Sequence, residues 1–395
     1  MSFPIDVSSL FFKFKHRIWK DAQNGSPARK AVMAWVVELI FPTLLRWNQW
    51  MLTRAYGKHG LLVLGQDNNL PCEGSTVGLN TSRQICQSFG QTVLESGMDN
   101  SPMYENSFND THAEWDATTG RLQLYDVQQS ALFVSESNAL RALAIGEPSL
   151  GLNANSPTAV LMAKQSKEMG EKINAVLWDD VTGIYRQVDA SPKQQGFSSS
   201  VGTVNILYKK QLLFLITSNF EKYYSPPPFY IKISPTSFYP MIGAVATPAQ
   251  AERLVEEHLT NVSEFCVHAT GTPTLKEATA CPFALPSTPR SDPHFYDNTY
   301  WRGRTWGPLN LLTWIALSNP TYSASAAVKG ARRGLVGQSV KLLLGEWREK
   351  RHVHENYNST TGEGDDVGDS NPFYHWGANM GYLAMREAMQ QQEEE

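Results

Sequence analysis

The sequence predicts an all-helical fold, built as a helical array or a closed toroid. Apolar residues recur at three-and-four spacing in one segment after another. The loops between these segments are rich in Trp, Asp, Gly and Pro, and they repeat a motif, Trp-Asp with a Gly four residues after the Asp. It occurs at Trp115-Asp116 with Gly120 and at Trp178-Asp179 with Gly183, and a recurring helix-loop unit marks an array. Neither βαβ alternation nor a Gly-rich phosphate loop is present, which argues against a Rossmann or P-loop fold.

The first helical segment, 31–56, carries Val32, Trp35, Val36, Leu39, Ile40, Leu44, Trp47 and Met51 near helical spacing. The second, 127–144, repeats the pattern through Ala131, Val134, Ala139, Leu140 and Leu143. Ser156-Pro157 reads as a cap with a first-turn proline and opens a helix running to Trp178. Thr247-Pro248 opens another that reaches Leu259, and 309–317, 324–347 and 376–389 complete the series. Asn358 to Gly362 echoes the end of the Trp-Asp motif. The stretch 201–233 does not fit. Its runs Asn205 to Lys210 and Gln211 to Ile216, followed by Tyr224-Ser225-Pro226-Pro227-Pro228, read as an insertion. The expected organisation is one domain over 1–395 interrupted there.

Hydrophobic content of 42% and charged content of 18% are globular values. A net charge of −4 gives no reason to expect nucleic acid or an anionic membrane as partner. The 11 Trp suit either a Trp-rich core or a sugar-stacking surface. Cys72, Cys86, Cys266 and Cys281 form no Cys-x-x-Cys pair, so buried thiols are the first expectation, with 72–86 or 266–281 disulfides as the oxidised alternative. No signal peptide or membrane span is evident, which favours the cytoplasm. Oligomeric state is not legible.

Two loop carboxylates stand out. Asp99 lies in Glu95-Ser96-Gly97-Met98-Asp99-Asn100-Ser101-Pro102, and Glu355 in His354-Glu355-Asn356-Tyr357. One acid and one base are the minimum equipment for hydrolysing a glycosidic bond. Were 95–99 helical, Glu95 would share a face with Asp99 and raise its pKa. Tyr300-Trp301-Arg302-Gly303-Arg304-Thr305-Trp306 and Phe373-Tyr374-His375-Trp376 supply aromatic platforms for a sugar. The bland alternative for the first is a buried knot in which Arg302 satisfies helix carbonyls. His352 and His354 invite a metal with Glu355, but their spacing does not match the helical zinc-protease pattern, so no metal or cofactor is expected. Asp365, Asp366 and Asp369 match a magnesium-diphosphate motif of prenyl-transfer enzymes, though nearby Gly362, Gly364 and Gly368 disfavour the helix it needs.

The ordered set of segments resembles glycoside hydrolase family 63, which includes processing α-glucosidase I and the mannosylglycerate hydrolases. The set comprises Leu44 to Trp50, Glu95 to Ser101, Ser234-Pro235-Thr236-Ser237-Phe238-Tyr239-Pro240, Leu285-Pro286-Ser287, Tyr300 to Gly303, Glu355 to Tyr357 and Phe373 to Ala378. The resemblance implies an (α/α)6 toroid, expected here without its first helical hairpin because no Trp-Asp loop precedes Leu44. It implies an inverting α-glycosidase with Asp99 as general acid and Glu355 as general base. The implied substrate-binding residues are Trp301, Arg302, Gly303, Trp306, Tyr357 and Trp376. The substrate is expected to be a small carbohydrate or oligosaccharide, an α-glucoside or α-mannoside such as mannosylglycerate or glucosylglycerate. The alternative is a truncated, catalytically impaired sugar-binding homologue.

Overall fold

The computed structural model describes residues 34–65, 92–106, 111–116, 118–146, 150–191, 229–230, 232–271, 274–283 and 285–394. Helices dominate these residues: Phe41–Met51 (α1), Val127–Gly146 (α2), Pro157–Val176 (α3), Pro248–Arg253 (α4), Leu275–Ala280 (α5), Gly307–Leu317 (α6), Ala326–Lys350 (α7) and Asn379–Glu394 (α8). Buried helices alternate with one-faced ones. Every residue of α6 is buried, and α2 is buried almost all round. By contrast α3 buries Ala159, Met162, Ser166, Met169 and Ile173, a three-and-four stripe, against α2. The α7 and α8 helices pack on α6. A fully buried 3-10 stretch, Pro235–Met241, bridges α2 and α6 into one core.

The predicted helix starts follow their capping chemistry. Ser156 stands extended before Pro157, and Thr247 forms a reciprocal capping box with Gln250. The segment expected to run unbroken to Leu259 leaves α-geometry after Arg253 and continues as a π-helical turn, Leu254–Leu259.

Three expectations need correction. First, the fold is not purely helical. Ala55–Tyr56, Leu61–Gly65, Arg121–Tyr125, Trp115–Asp116 and Val188–Asp189 form a five-stranded antiparallel sheet. Leu61–Gly65 is buried throughout, and a short continuous apolar run has no alternation to announce a strand. Second, the Trp-Asp motif is a hairpin turn, not a helix-loop unit. Trp115–Asp116 pairs with Leu122 and Arg121, and Trp178–Asp179 pairs with Tyr185 and Ile184. In both, the Asp side chain accepts from the amide two residues on, and the left-handed Gly donates to the Asp carbonyl. Asn358 and Gly362 make the same turn, because a short polar acceptor and a Gly able to hold positive φ suffice to build it. Third, Cys266 and Cys281 are disulfide-bonded, not free thiols, with Cα atoms 5.4 Å apart. Gln338 of α7 brings them together by donating to the carbonyls of both. Cys72, Cys86 and most of the 201–233 stretch lie outside the described residues. Among the described residues no helix is long and apolar enough to cross a membrane.

The glycines of α7 give a stability test. A Cβ at Gly334 would strike the carbonyl oxygen of His268, whereas one at Gly345 meets open space. Gly345→Ala is expected to raise stability by up to about 1 kcal/mol through helix propensity. Gly334→Ala should lower it by about 1–3 kcal/mol, because backbone contact overrides that gain. Urea midpoints of the two variants check the opposite signs.

Candidate active site

The Asp99 loop is shaped by a break in helical geometry. Leu94–Ser96 makes a single 3-10 turn that ends at Gly97, whose φ is +71°. Ser96 Oγ then accepts from the Met98 amide and donates to the Val93 carbonyl. This break turns Glu95 away from Asp99. Glu95 forms an ion pair with Arg54 at 2.8 Å and accepts from the Gly65 amide at 2.5 Å. Asp99 is exposed at the loop tip, yet enough of it is shielded for burial to raise its carboxyl, opposed by its own backbone amide. Burial therefore does what a neighbouring Glu95 was expected to do.

Asn100 ties this loop to the aromatic segment 300–306. Its Oδ1 accepts from the Trp301 amide at 2.9 Å, and its carbonyl accepts from Arg302 Nη1 at 3.3 Å. Arg302 is held in turn by Asp297 at 2.6 Å. Gly303 has φ +91°, and a Cβ there would meet the Phe295 carbonyl.

Glu355 immediately precedes a short strand, Asn356–Tyr357, that pairs with Thr305–Trp306. Its side chain is buried. Oε1 accepts from Tyr300 Oη at 3.4 Å, and Oε2 accepts from Asn371 Nδ2 at 3.2 Å. Burial raises the Glu355 carboxyl, and donors from Asn371 and Tyr300 oppose the rise. Tyr300 connects the two carboxylates. Its hydroxyl is pushed well above the ordinary tyrosine range by burial first, then by the charges of both Glu355 and Asp99.

The aromatic residues divide into framework and lining. Trp301 and Trp306 are fully buried and stack on each other with centroids 3.6 Å apart. Trp306 Nε1 donates to the Tyr300 carbonyl. Tyr357 is also fully buried, its hydroxyl accepting from the His354 amide. Trp376 and Tyr374 are only partly buried, with ring centroids 5.0 Å apart. Burial followed by the charge of Glu355 raises the Tyr374 hydroxyl, so that ring also stands near the buried carboxylate. Tyr300, Asn298 and Phe373 hold positive φ angles of 47°, 46° and 58° around this region. Such left-handed non-glycine residues cluster where surrounding structure over-determines the backbone.

The buried knot exists, but it forms on Arg304, not Arg302. Arg304 is fully buried, pairs with Asp366 at 2.8 Å, and donates to Asn356, Asn298 and the Glu363 carbonyl. Asp365 pairs with Lys350, and Asp369 accepts from Thr299. The three aspartates thus serve separate partners in a loop, which removes the basis for a magnesium-diphosphate site. Tyr300 heads the first aromatic motif, where position alone marked it, and Asn371 lies two residues before the second, with no signal of its own.

The family model for the mannosylglycerate hydrolase MGH1-like glycoside hydrolase domain matches residues 22–377. Among solved structures, the glucose complex of the GH63 mannosylglycerate hydrolase from Thermus thermophilus superposes with a TM-score of 0.58. It is 18% identical and covers 98% of this chain and 76% of that one. The complex of the enzyme with Tris and D-glycerate gives 0.55 at 17% identity, covering 92% and 74%. An uncharacterized conserved protein from the same organism gives 0.57 at 18% identity, covering 98% and 78%. At these identities the likeness shows the fold. Comparison with curated proteins gives no match.

Asp366 offers a test of the knot. Burial alone would raise its carboxyl, but Arg304, with Asn358 and Asn298, outweighs burial and holds it below the ordinary range. A depressed carboxyl contributes stability above its unfolded pKa and loses it as pH falls through the folded value. Asp366→Asn should cost about 3–5 kcal/mol at neutral pH by leaving Arg304 uncompensated. It should also flatten the acid-side fall in the urea midpoint below pH of about 4.

Proposed function

The chain belongs to the mannosylglycerate hydrolase MGH1-like glycoside hydrolase family and is a glycosidase, and on that premise we propose that it is an inverting α-glycosidase acting on a small α-mannoside or α-glucoside. Asp99, protonated, donates to the glycosidic oxygen as the bond to the anomeric carbon breaks. Glu355, ionised, takes a proton from a water whose oxygen attacks that carbon from the opposite face. The product has inverted configuration, and the two carboxyls of such a pair stand about 6.5–9.5 Å apart. The observation that carries this reading is the pair of bonds that ties the two loops to one segment: Asn100, next to Asp99, accepts from the Trp301 amide, and the adjoining Tyr300 bonds Glu355.

The partly buried rings of Trp376 and Tyr374 provide the stacking surface for the sugar. Trp301, Trp306 and Tyr357 hold that surface from behind, while Arg302 and Gly303 position the Asp99 loop. We place the site at the loop-rich mouth of an (α/α)6 toroid, a reading supported by two buried helices packed against one-faced ones, α2 on α3 and α6 on α7. The glycerate-bound relative supports mannosylglycerate or glucosylglycerate as the first substrates to try.

With α-mannosylglycerate and α-glucosylglycerate as substrates, proton NMR should show the β-anomer of the released sugar first. Asp99→Asn and Glu355→Gln should each lower turnover by roughly 10²–10⁴. A first-formed α-anomer would sink the inverting mechanism, and unchanged turnover in both variants would sink the pair.

The pH profile follows from the same environments. Glu355 works as a base, so activity falls as pH drops through its raised pKa, placing the acid limb above the ordinary glutamate range. Asn371 donates to the charged form, and its loss favours the neutral one. Asn371→Ala should therefore move the acid limb of kcat/KM to higher pH.

A further inference from the structure

The chain just before the Glu355 strand carries a second cluster, which the hydrolytic reading does not use. Glu346 lies in the last turns of α7. His352 and His354 follow after the helix ends at Arg351, whose left-handed conformation turns the chain back. One donor atom from each of Glu346, His352 and His354 lies within 4.8 Å of the others. Sequence reading weighed these histidines with Glu355. Folding directs Glu355 to Tyr300 and Asn371 and supplies Glu346 in its place.

The two inner members are poorly satisfied as a simple pair. Glu346 and His354 are 5% and 2% exposed. Glu346 Oε1 and His354 Nδ1 approach to 2.5 Å, yet neither atom has an aligned hydrogen-bond partner. So close a contact between a buried carboxylate and an imidazole is satisfied either by a proton shared between them or by a cation that both ligate. The charges around the cluster are mixed: Asp365, Glu349 and Glu363 lie near Glu346, Lys350 pairs with Asp365, and Arg304 acts on His354. The loop above closes tightly, since a Cβ at Gly364 would fall on the His354 ring. His352 covers the outer side, half-buried and stacked on Phe373 with centroids 4.5 Å apart.

We propose that Glu346, His352 and His354 form a zinc site, two imidazoles and one carboxylate, with a water in the fourth position. This donor set is one that zinc takes in tetrahedral geometry. Bonds of about 2.0–2.1 Å in that geometry put ligand atoms about 3.3 Å apart, so Glu346 and His354 must open slightly as the ion enters. His352 sits in the short segment between α7 and the strand, and its ring lies 4.8 Å from that of His354, centroid to centroid. The ion would pin the C-terminal end of α7 to the residue preceding Glu355. The proposal rests on this geometry and stands whether or not Glu355 is the catalytic base.

The test uses tag-free full-length chain, stripped with EDTA and dialysed against zinc chloride. The expected result is about one zinc per chain by elemental analysis. X-ray absorption should report two imidazole ligands and one carboxylate, and Tm should rise on zinc addition. His352→Ala leaves the buried Glu346–His354 contact in place and removes a ligand from the half-exposed side. It should fold, lose the bound zinc and lose the Tm response. Glu346→Gln should do the same, and if it fails to fold, His352→Ala decides alone. Zinc-free wild-type chain after reconstitution, or zinc retained undiminished in His352→Ala, would overturn the site.

Discussion

A fully buried guanidinium must be neutralised and its donors satisfied, and the architecture around the site depends on how Arg304 meets that demand. The charge is met by Asp366, and the remaining donors reach Asn298, Asn356 and the Glu363 carbonyl. Those partners come from the turn before Tyr300, the strand after Glu355 and the 363–366 loop, which also meet through the pairing of Asn356–Tyr357 with Thr305–Trp306. Asn356 begins the strand that follows Glu355, and Asn298 precedes the Tyr300 turn. One buried charge thus fixes the spacing between the two segments that present the carboxylate and its phenolic partner. Desolvation makes the alternatives expensive, because an unpaired buried charge costs more than the ordering of the loops.

The same contrast between shielding and exposure separates the two carboxylates. Glu355 is buried and braced by amide and phenol donors, whereas Asp99 is exposed on a loop held by its neighbours, Asn100 on the Trp301 amide and Ser96 on Gln128. In the proposed mechanism the base gains from fixed donors that favour its charged form, and the acid gains from an exposed position from which it can reach a leaving oxygen. The stacked Trp301–Trp306 pair lies behind both. Its contribution is stiffness, since two fully buried indoles in face contact leave the 300–306 segment little freedom.

Much of the helical framework was legible because amphipathic spacing and capping chemistry are local. The 3.6-residue stripe of α3 and the Thr247–Gln250 box need no knowledge of distant residues. The sheet was missed: strands of two residues carry no period and Leu61–Gly65 is uniformly apolar, while the alternation of Arg121–Tyr125 is only five residues long and runs straight on to the α2 helix. The Trp-Asp motif was seen but misassigned. A turn built from a side-chain acceptor and a left-handed Gly looks the same in sequence whether helices or strands flank it. Residues of the candidate site were recognisable as types in loops, but their division of labour was not. Burial decides whether an indole offers a face to a ligand or to another indole, and burial is a property of the packed chain.

By itself the sequence determined the family and the helical character, and it singled out the two loop carboxylates proposed as the catalytic pair, because each rests on local patterns or an ordered set of motifs. Only the tertiary structure decided that Glu95 belongs to Arg54 and not to Asp99, that the knot is Arg304 and not Arg302, and that Cys266 meets Cys281. It alone brought Glu346 to the two histidines that sequence spacing had set beside Glu355. The physical reason is the same in each case. The partner of a buried charge, thiol or imidazole is chosen by which side chains folding brings within a few ångströms, and separation along the chain does not encode that distance.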